Sequence, residues 1–269
     1  MLLTKKLYPW LRLRLCRVRK LEVTGRESMR LLDFSFRSPT QNLALDEVLL
    51  NNAESGRGGE VLRFWESSVP FVVLGVTQVL RQEVHEKNCL DDHVRILRRA
   101  SAGGCALQGP GCLNYTLVLS HERRPEISTI RASYCYILER LCEALERRGA
   151  PAHHKGISDL AVGGKKISGS AQKRRRRFIL HHGTLLHEVD IDKMERYLRE
   201  PIDRPQYRGA RTHRGFLRAV PLTPRELREA VCEAFDIEYR PAKPSPWEID
   251  ATKELARELY ATLEWIRRR

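Results

Sequence analysis

Between residues 156 and 186 the chain alternates β-compatible runs with glycines, and this pattern narrows the available folds sharply. Gly163-Gly164-Lys165-Lys166-Ile167-Ser168-Gly169-Ser170-Ala171-Gln172 is followed by a basic run and then by His181-His182-Gly183-Thr184-Leu185-Leu186. Strands over 166–171 and 178–186, joined across the basic tip 173–177, make a hairpin. Its glycines and small residues let backbone approach a bulky ligand, with Lys166 held against that ligand. His181 and His182 point to opposite faces of a regular strand, so at most one of them meets the ligand.

A second unusual segment, Arg98-Arg99-Ala100-Ser101-Ala102-Gly103-Gly104-Cys105-Ala106-Leu107, lies between the strand-like stretches 94–97 and 113–119. Such a loop can offer consecutive backbone N–H groups to a carboxylate or phosphate, with Arg98 or Arg99 adding positive charge. Elsewhere Tyr134, Ile137, Leu138, Leu141, Cys142 and Leu145 follow helical spacing and Gly149 ends it, so 129–148 reads as an amphipathic helix. Cys142 lies on its apolar face and Cys135 off it. Thr223-Pro224-Arg225-Glu226 is a capping box with proline at the first helical position, opening a helix through Leu227, Val231 and Phe235. Asp250 is the expected cap of a last helix carrying Leu255, Leu259 and Ile266, after a linker marked by Pro241, Pro244 and Pro246. Strands among these helices predict an α+β domain around a mixed or antiparallel sheet.

Several chemistries are disfavoured by spacing. Ser101 lacks the first glycine of a Gly-x-Ser-x-Gly elbow. Neither serine nor threonine follows Lys165, so 163–166 is not a P-loop. Adjacent histidines such as His153-His154 do not readily chelate one ion, and no CxxC or HExxH accompanies them, so no metal site is expected. Seven scattered cysteines argue against a disulfide framework and for a reducing cytoplasm. No apolar run approaches ~18 residues, the least a membrane-spanning helix needs.

Of the net charge of +14, residues 1–28 supply eight basic against two acidic side chains. Presequence, nucleic-acid and anionic-lipid readings exist for such a segment, but a plain basic N-terminal extension is preferred. The run Lys173-Arg174-Arg175-Arg176-Arg177 reads first as a solvated hairpin tip and second as a docking patch for an acidic protein. It has no interleaved aromatics, and no nucleic-acid partner is expected.

Taken together, Arg-Arg-x-Ser-x-Gly-Gly, Gly-Lys-Lys-Ile-Ser-Gly-Ser-Ala-Gln and His-His-Gly-Thr-Leu-Leu resemble the lipoate-protein ligase and octanoyltransferase family, the lipoyl branch of the biotin/lipoate ligase fold. Asn42-Leu43-Ala44-Leu45-Asp46-Glu47 is similar to the family's first helix, and Val72-Val73-Leu74-Gly75-Val76-Thr77-Gln78 to its strand-turn. The resemblance implies a biotin/lipoate ligase-like catalytic domain over 29–269, of the class II aminoacyl-tRNA synthetase and biotin synthetase-like fold, without the C-terminal accessory domain of full-length bacterial ligases. It implies activation of lipoate or octanoate with ATP and Mg2+ to an acyl-adenylate, then amide formation with a lysine of a lipoyl carrier domain, from a 2-oxoacid dehydrogenase E2 or the glycine cleavage H protein. Lys166 is the implied catalytic residue. Arg99, Ser101, Gly103, Gly104, His182 and Gly183 are the implied substrate contacts, and Gly104, Cys105, Ala106, Leu107, Asp159 and Lys166 the implied nucleotide contacts. The alternatives are ATP-independent transfer from octanoyl-acyl carrier protein, or a non-catalytic carrier-binding subunit.

The chain departs from that family in places. Val76-Thr77 replaces an arginine before the glutamine, and Gln108-Gly109 replaces a His-Asp pair. The two positions where octanoyltransferases of this fold carry their nucleophilic cysteine read Pro151-Ala152-His153-His154 and Arg199-Glu200-Pro201. Ligase is therefore placed ahead of transferase, with a separate accessory subunit as a candidate partner.

Overall fold

The glycine-rich hairpin stands near the middle of the larger of two sheets. The computed structural model describes residues 29–269; the basic extension 1–28 lies outside the described residues. The strands are β1 (Arg30–Asp33), β2 (Val61–Trp65), β3 (Phe71–Leu74), β4 (Arg95–Arg98), β5 (Ala106–Gln108), β6 (Cys112–Ser120), β7 (His153–Lys155), β8 (Asp159–Val162), β9 (Lys165–Arg174) and β10 (Phe178–Leu186). The helices are α1 (Pro39–Glu54), α2 (Leu80–Glu83), α3 (Glu86–Asp91), α4 (Ile130–Glu146), α5 (Ile191–Tyr197), α6 (His213–Phe216), α7 (Pro224–Ala234), α8 (Pro246–Leu255) and α9 (Leu263–Ile266). Seven strands form a sheet in the order β1-β2-β6-β10-β9-β8-β7, and three form a second in the order β4-β3-β5. Each sheet contains one parallel pair, β1 with β2 and β3 with β4, so the fold is α+β with mixed sheets.

Both faces of the large sheet are covered, which is why β6 is buried at every residue. On one face α4 and α7 pack Ile137, Leu141, Leu227 and Val231 against Phe64 and Leu117. On the other, α1 packs Leu45 and Leu49 against Val61, Val118 and Leu180. Truncating a fully buried leucine such as Leu141 to alanine costs about 2–5 kcal/mol. The amphipathic helix expected over 129–148 is α4, its first turn capped by the Thr129 hydroxyl, which accepts from Ala132 N–H. The capping box at Thr223 is formed as expected.

One register irregularity sets up the site. Gly163 and Gly164, at φ of +57° and +75°, make the two-residue turn between β8 and β9. Beyond it Ala161 pairs with Lys166, but Leu160 pairs with Ser168, so one extra residue is inserted in β9. Ile167 is fully buried in the α4 core cluster and Ser168 is fully buried opposite Leu160 of the same cluster. Without this bulge Lys166 and Gly169, three residues apart, would face opposite sides of the sheet. With it, both share a face with Asp159.

Three sequence expectations need correction. The last helix is capped not by Asp250 but by Ser245, whose hydroxyl accepts from Glu248 N–H in a second capping box, with Pro246 as the first helical residue rather than linker. That helix also does not run to the end: a wider π-type turn over 256–260 interrupts it before α9. The basic run is not simply a solvated tip either. Lys173 pairs with Glu47 of α1, and Arg174 donates to the carbonyls of Ile127 and Ser128.

Candidate active site

A cavity of about 520 Å³ opens beside β9 and β10, within the usual size of small-molecule sites. Leu43, Trp65, Val73, Leu107 and Leu186 give it an apolar wall, and Lys166 brings a cation into it. The Lys166 ammonium lies 2.8 Å from Asp159 Oδ1. Tyr207 O–H donates to the other carboxylate oxygen at 2.8 Å. Burial, then the Asp159 charge beside it, pushes the Tyr207 phenol up, so it stays a donor. The lysine can arch over its own strand only because residue 169 is glycine: a Cβ there would stand 2.8 Å from the ammonium nitrogen. Its backbone is fixed too, since the Lys166 carbonyl accepts from Arg218 N–H at 3.0 Å.

His182 faces the cavity and His181 the core, the alternation expected for neighbours on a strand. His181 is fully buried, and burial pushes its pKa down to about 3, so the ring is neutral. It accepts from Gln172 through Nδ1 at 3.0 Å and lies between the rings of Tyr115 and Tyr134. His182 is held at both nitrogens, Nε2 by the Ser101 hydroxyl at 2.6 Å and Nδ1 by Asp46 at 3.2 Å. Ser101 also accepts from Arg99 Nε at 3.0 Å, leaving its own proton for His182 and the imidazole proton for the Asp46 side. Burial works to raise the Asp46 carboxyl, but Arg63, ion-paired at 2.5 Å, and His182 outweigh it and hold the pKa below the usual range. Thr116 donates to the same carboxylate at 2.9 Å.

The Arg98–Leu107 segment is β4, a turn, and the start of β5. Its two arginines have separate fates. Arg98 is fully buried and donates to the carbonyls of Gly75, Gln78 and Ile266, so it brings no charge to the loop. Arg99 lines the cavity and donates to the carbonyls of Ala102 and Gly104, bending the loop around its guanidinium. Burial lowers the Arg99 pKa to about 10, which leaves it charged at neutral pH. The loop packs tightly against the turn after β3, where a Cβ on Gly75 would lie 2.1 Å from the Gly103 carbonyl oxygen.

Of the sequence-predicted residues, Lys166, Asp159, Arg99, Gly103, Gly104, Cys105, Ala106, Leu107, His182 and Gly183 all line this one cavity. Ser101 does not; it is 1% exposed and stands behind His182. Asp46, Glu83 and the Gln108–Asn114–Thr184 hydrogen-bond network join the lining without having been singled out as site residues, and Tyr207 stands behind the lining, bonded to Asp159. Asp46 lay inside the helix motif 42–47 and Tyr207 inside an arginine-rich stretch, so both had a local signal, but neither pattern says what its side chain meets.

This cavity, with a bulge-presented lysine opposite an arginine-wrapped glycine loop, sits in a chain whose residues 38–236 match the model of the lipoyl protein ligase A/B catalytic domain. The chain belongs to that family. An octanoyltransferase, LipM, from Carboxydothermus hydrogenoformans is 30% identical over 266 residues, spanning 89% of this chain and 98% of the relative. A probable lipoate-protein ligase A from Mycoplasma pneumoniae is 31% identical over 160 residues, spanning 60% of this chain and 46% of that protein. The fold is also that of the bi-partite lipoate protein ligase of Thermoplasma acidophilum, solved in an archaeal lipoylation system with its E2 lipoyl domain. The two superpose with a TM-score of 0.78 at 24% identity, over 90% of this chain and 97% of that one.

As a member of the family the chain is an enzyme of the lipoate- and octanoate-transferring kind. Its cysteines bear on how the acyl group travels. Cys105 lines the cavity and Cys112 lies buried beneath it, and burial pushes each thiol up to about 12. Arg99 lowers the Cys105 value without overcoming its desolvation. At neutral pH both are protonated and poor nucleophiles.

Proposed function

We propose that this chain attaches an eight-carbon acyl group, lipoyl or octanoyl, to a lysine of a lipoyl carrier domain. Lys166 is the catalytic cation. The reading rests on its ammonium, oriented by Asp159 and Tyr207 above an apolar cavity large enough for the acyl chain. When the carrier lysine's neutral amine attacks the acyl carbonyl, the new C–N bond pushes negative charge onto the carbonyl oxygen, and a pre-positioned donor lowers that barrier. Collapse expels the leaving group, and the amine's proton is lost to solvent. The loop of Gly103, Gly104, Cys105, Ala106 and Leu107, with Arg99 behind it, takes the polar head of the activated acyl group.

The acyl group is activated as an adenylate: its carboxylate attacks the α-phosphorus of ATP, supplied with Mg2+, and pyrophosphate leaves, so that AMP is the group expelled in the transfer to the carrier lysine. Protonated Cys105 and Cys112 and the absence of cysteine at 151–154 and 199–201 favour a route without a thioester on the enzyme. Direct transfer from an octanoyl-acyl carrier protein is the second reading, favoured by the near full-length similarity to an octanoyltransferase. The carrier is an E2 lipoyl domain or glycine cleavage H protein, and the exposed Arg199 and Arg204 at the cavity suit an acidic partner surface. The free thiols among the described residues suit the cytoplasm.

Intact-mass measurement of an apo lipoyl domain tests both readings. Acylation with free octanoate or lipoate plus ATP and Mg2+, and none from octanoyl-acyl carrier protein without ATP, is expected. The reverse pattern replaces adenylate by thioester chemistry, and no acylation from either source, alone or with candidate accessory subunits, removes the catalytic reading.

A further inference from the structure

Outside the cavity, α4 and the edge strand β7 bring a thiol, a carboxylate and an imidazole together. Cys135 and Glu139 are one turn apart on α4, and His154 faces them from β7. One donor atom from each lies within 4.8 Å of the others. Donors bonded tetrahedrally to one zinc ion stand about 3.3–3.8 Å apart, so rotamer changes of about 1 Å close the set. The imidazole has its own support: His154 Nε2 lies 3.0 Å from the Ile157 carbonyl oxygen. A proton on Nε2, donated there, leaves the Nδ1 lone pair for a metal and fixes the ring, as backbone carbonyls do for metal-bound histidines. Cys135 and His154 are half-buried and Glu139 is exposed, so an ion can reach the group from solvent.

We propose that Cys135, Glu139 and His154 form a binding site for a zinc-like divalent cation, with water as the fourth ligand. Binding forms Cys135 Sγ–metal, Glu139 carboxylate–metal and His154 nitrogen–metal bonds, and the Cys135 thiol proton is released to solvent. Thiolate and carboxylate together neutralise the dication. The disfavoured pair His153-His154 does not bear on this set, which takes one histidine and completes it from a helix. The ion would also act on the cavity at a distance. Ile157, whose carbonyl holds the ring, lies in the turn between β7 and β8, and Gly156, Ile157 and Ser158 of that turn line the cavity beside Asp159. Fixing His154 would therefore stiffen the lip next to the Lys166–Asp159 pair.

Cobalt(II) titration of the chelator-stripped full chain tests the site without any activity assay. One equivalent of Co2+ is expected to give a near-ultraviolet thiolate charge-transfer band, displaced by zinc. The band should vanish in Cys135→Ser, weaken at least tenfold in apparent affinity in His154→Ala and Glu139→Gln, and persist in Cys142→Ser, which alters a nearby thiol packed toward the core. Cys135 and Glu139 are not core residues, so these variants fold. No band, or a band that survives Cys135→Ser or is indifferent to His154→Ala, overturns the site. Amide exchange over 156–159 should slow severalfold on adding zinc to the wild type and not to His154→Ala; unchanged exchange overturns the coupling to the cavity lip.

Discussion

Two buried carboxylates face the same cavity and hold cations, yet their surroundings give them different tasks. Asp46, 2% exposed, is enclosed by Arg63, His182 and Thr116, with both oxygens engaged. Asp159, 5% exposed, holds Lys166 and Tyr207, and its lysine keeps about a quarter of its side-chain surface open. The first arrangement is closed and fixes the position of His182 and the glycine loop. The second leaves a charged group with room to meet a ligand. The same pair of charges stabilises architecture when every donor is consumed within the protein, and serves chemistry when one remains reachable.

That contrast is broken most severely at Asp46. Asp46→Ala strands the fully buried Arg63 guanidinium without its counter-charge, which costs about 3–5 kcal/mol. Thermal unfolding should shift down by about 6–20 °C in a domain of this size. Lys166→Ala should do the converse. Acyl transfer is expected to fall by about 10²–10³-fold, the scale for removing one oxyanion donor, with the melting temperature nearly unchanged. Lys166→Arg should recover little, because a planar guanidinium does not occupy the compact place over Gly169. Equal loss of fold and activity in both variants would erase the distinction.

Acidification probes the closed side further. His181 is neutral in the folded protein with its pKa pushed down to about 3, whereas an unfolded histidine titrates near 6.5. Between those values the unfolded state binds the extra proton, so stability falls as pH falls through about 6.5 and is fully lost only near 3. From about pH 7 to about pH 5 this amounts to roughly 2 kcal/mol, read as a drop in the chemical-denaturation midpoint. His181→Leu should flatten that slope whatever it does to stability at pH 7. The smallest effect belongs to Tyr207→Phe, which removes one hydrogen bond to Asp159. A rate loss of about tenfold, ~1.4 kcal/mol, is expected, with substrate binding and the melting temperature little changed.

Much of this was readable in the chain because it rests on local chemistry. The β9–β10 hairpin, α4 and the Thr223 cap follow from glycine placement, 3.6-residue periodicity and a capping box, all short-range signals. The bulge at Ile167–Ser168 was not readable, because strict alternation puts Lys166 and Gly169 on opposite faces and only the pairing with β8 shows the extra residue. Arg98 and Arg99 look equivalent in sequence, and their separate roles come from carbonyls as distant in the chain as that of Ile266. Ser101 sits in a motif beside cavity residues but turns away to His182, a partner 81 residues on. Ser245 outcompetes Asp250 as a cap because its hydroxyl reaches Glu248 N–H while Glu248 reaches back.

The hairpin tip is moored on both sides of the large sheet. Lys173 is tied to Glu47 of α1, Arg174 to the turn before α4, and the N–H groups of Arg177 and Phe178 to Glu54. These ties reach both faces of the sheet, so moving β9 and β10 away together would break contacts with α1 and with the turn before α4. Under the proposed acyl transfer, the opposite margin of the cavity, lined by the 156–158 turn and by residues between 199 and 208, is the side through which the acyl chain would enter.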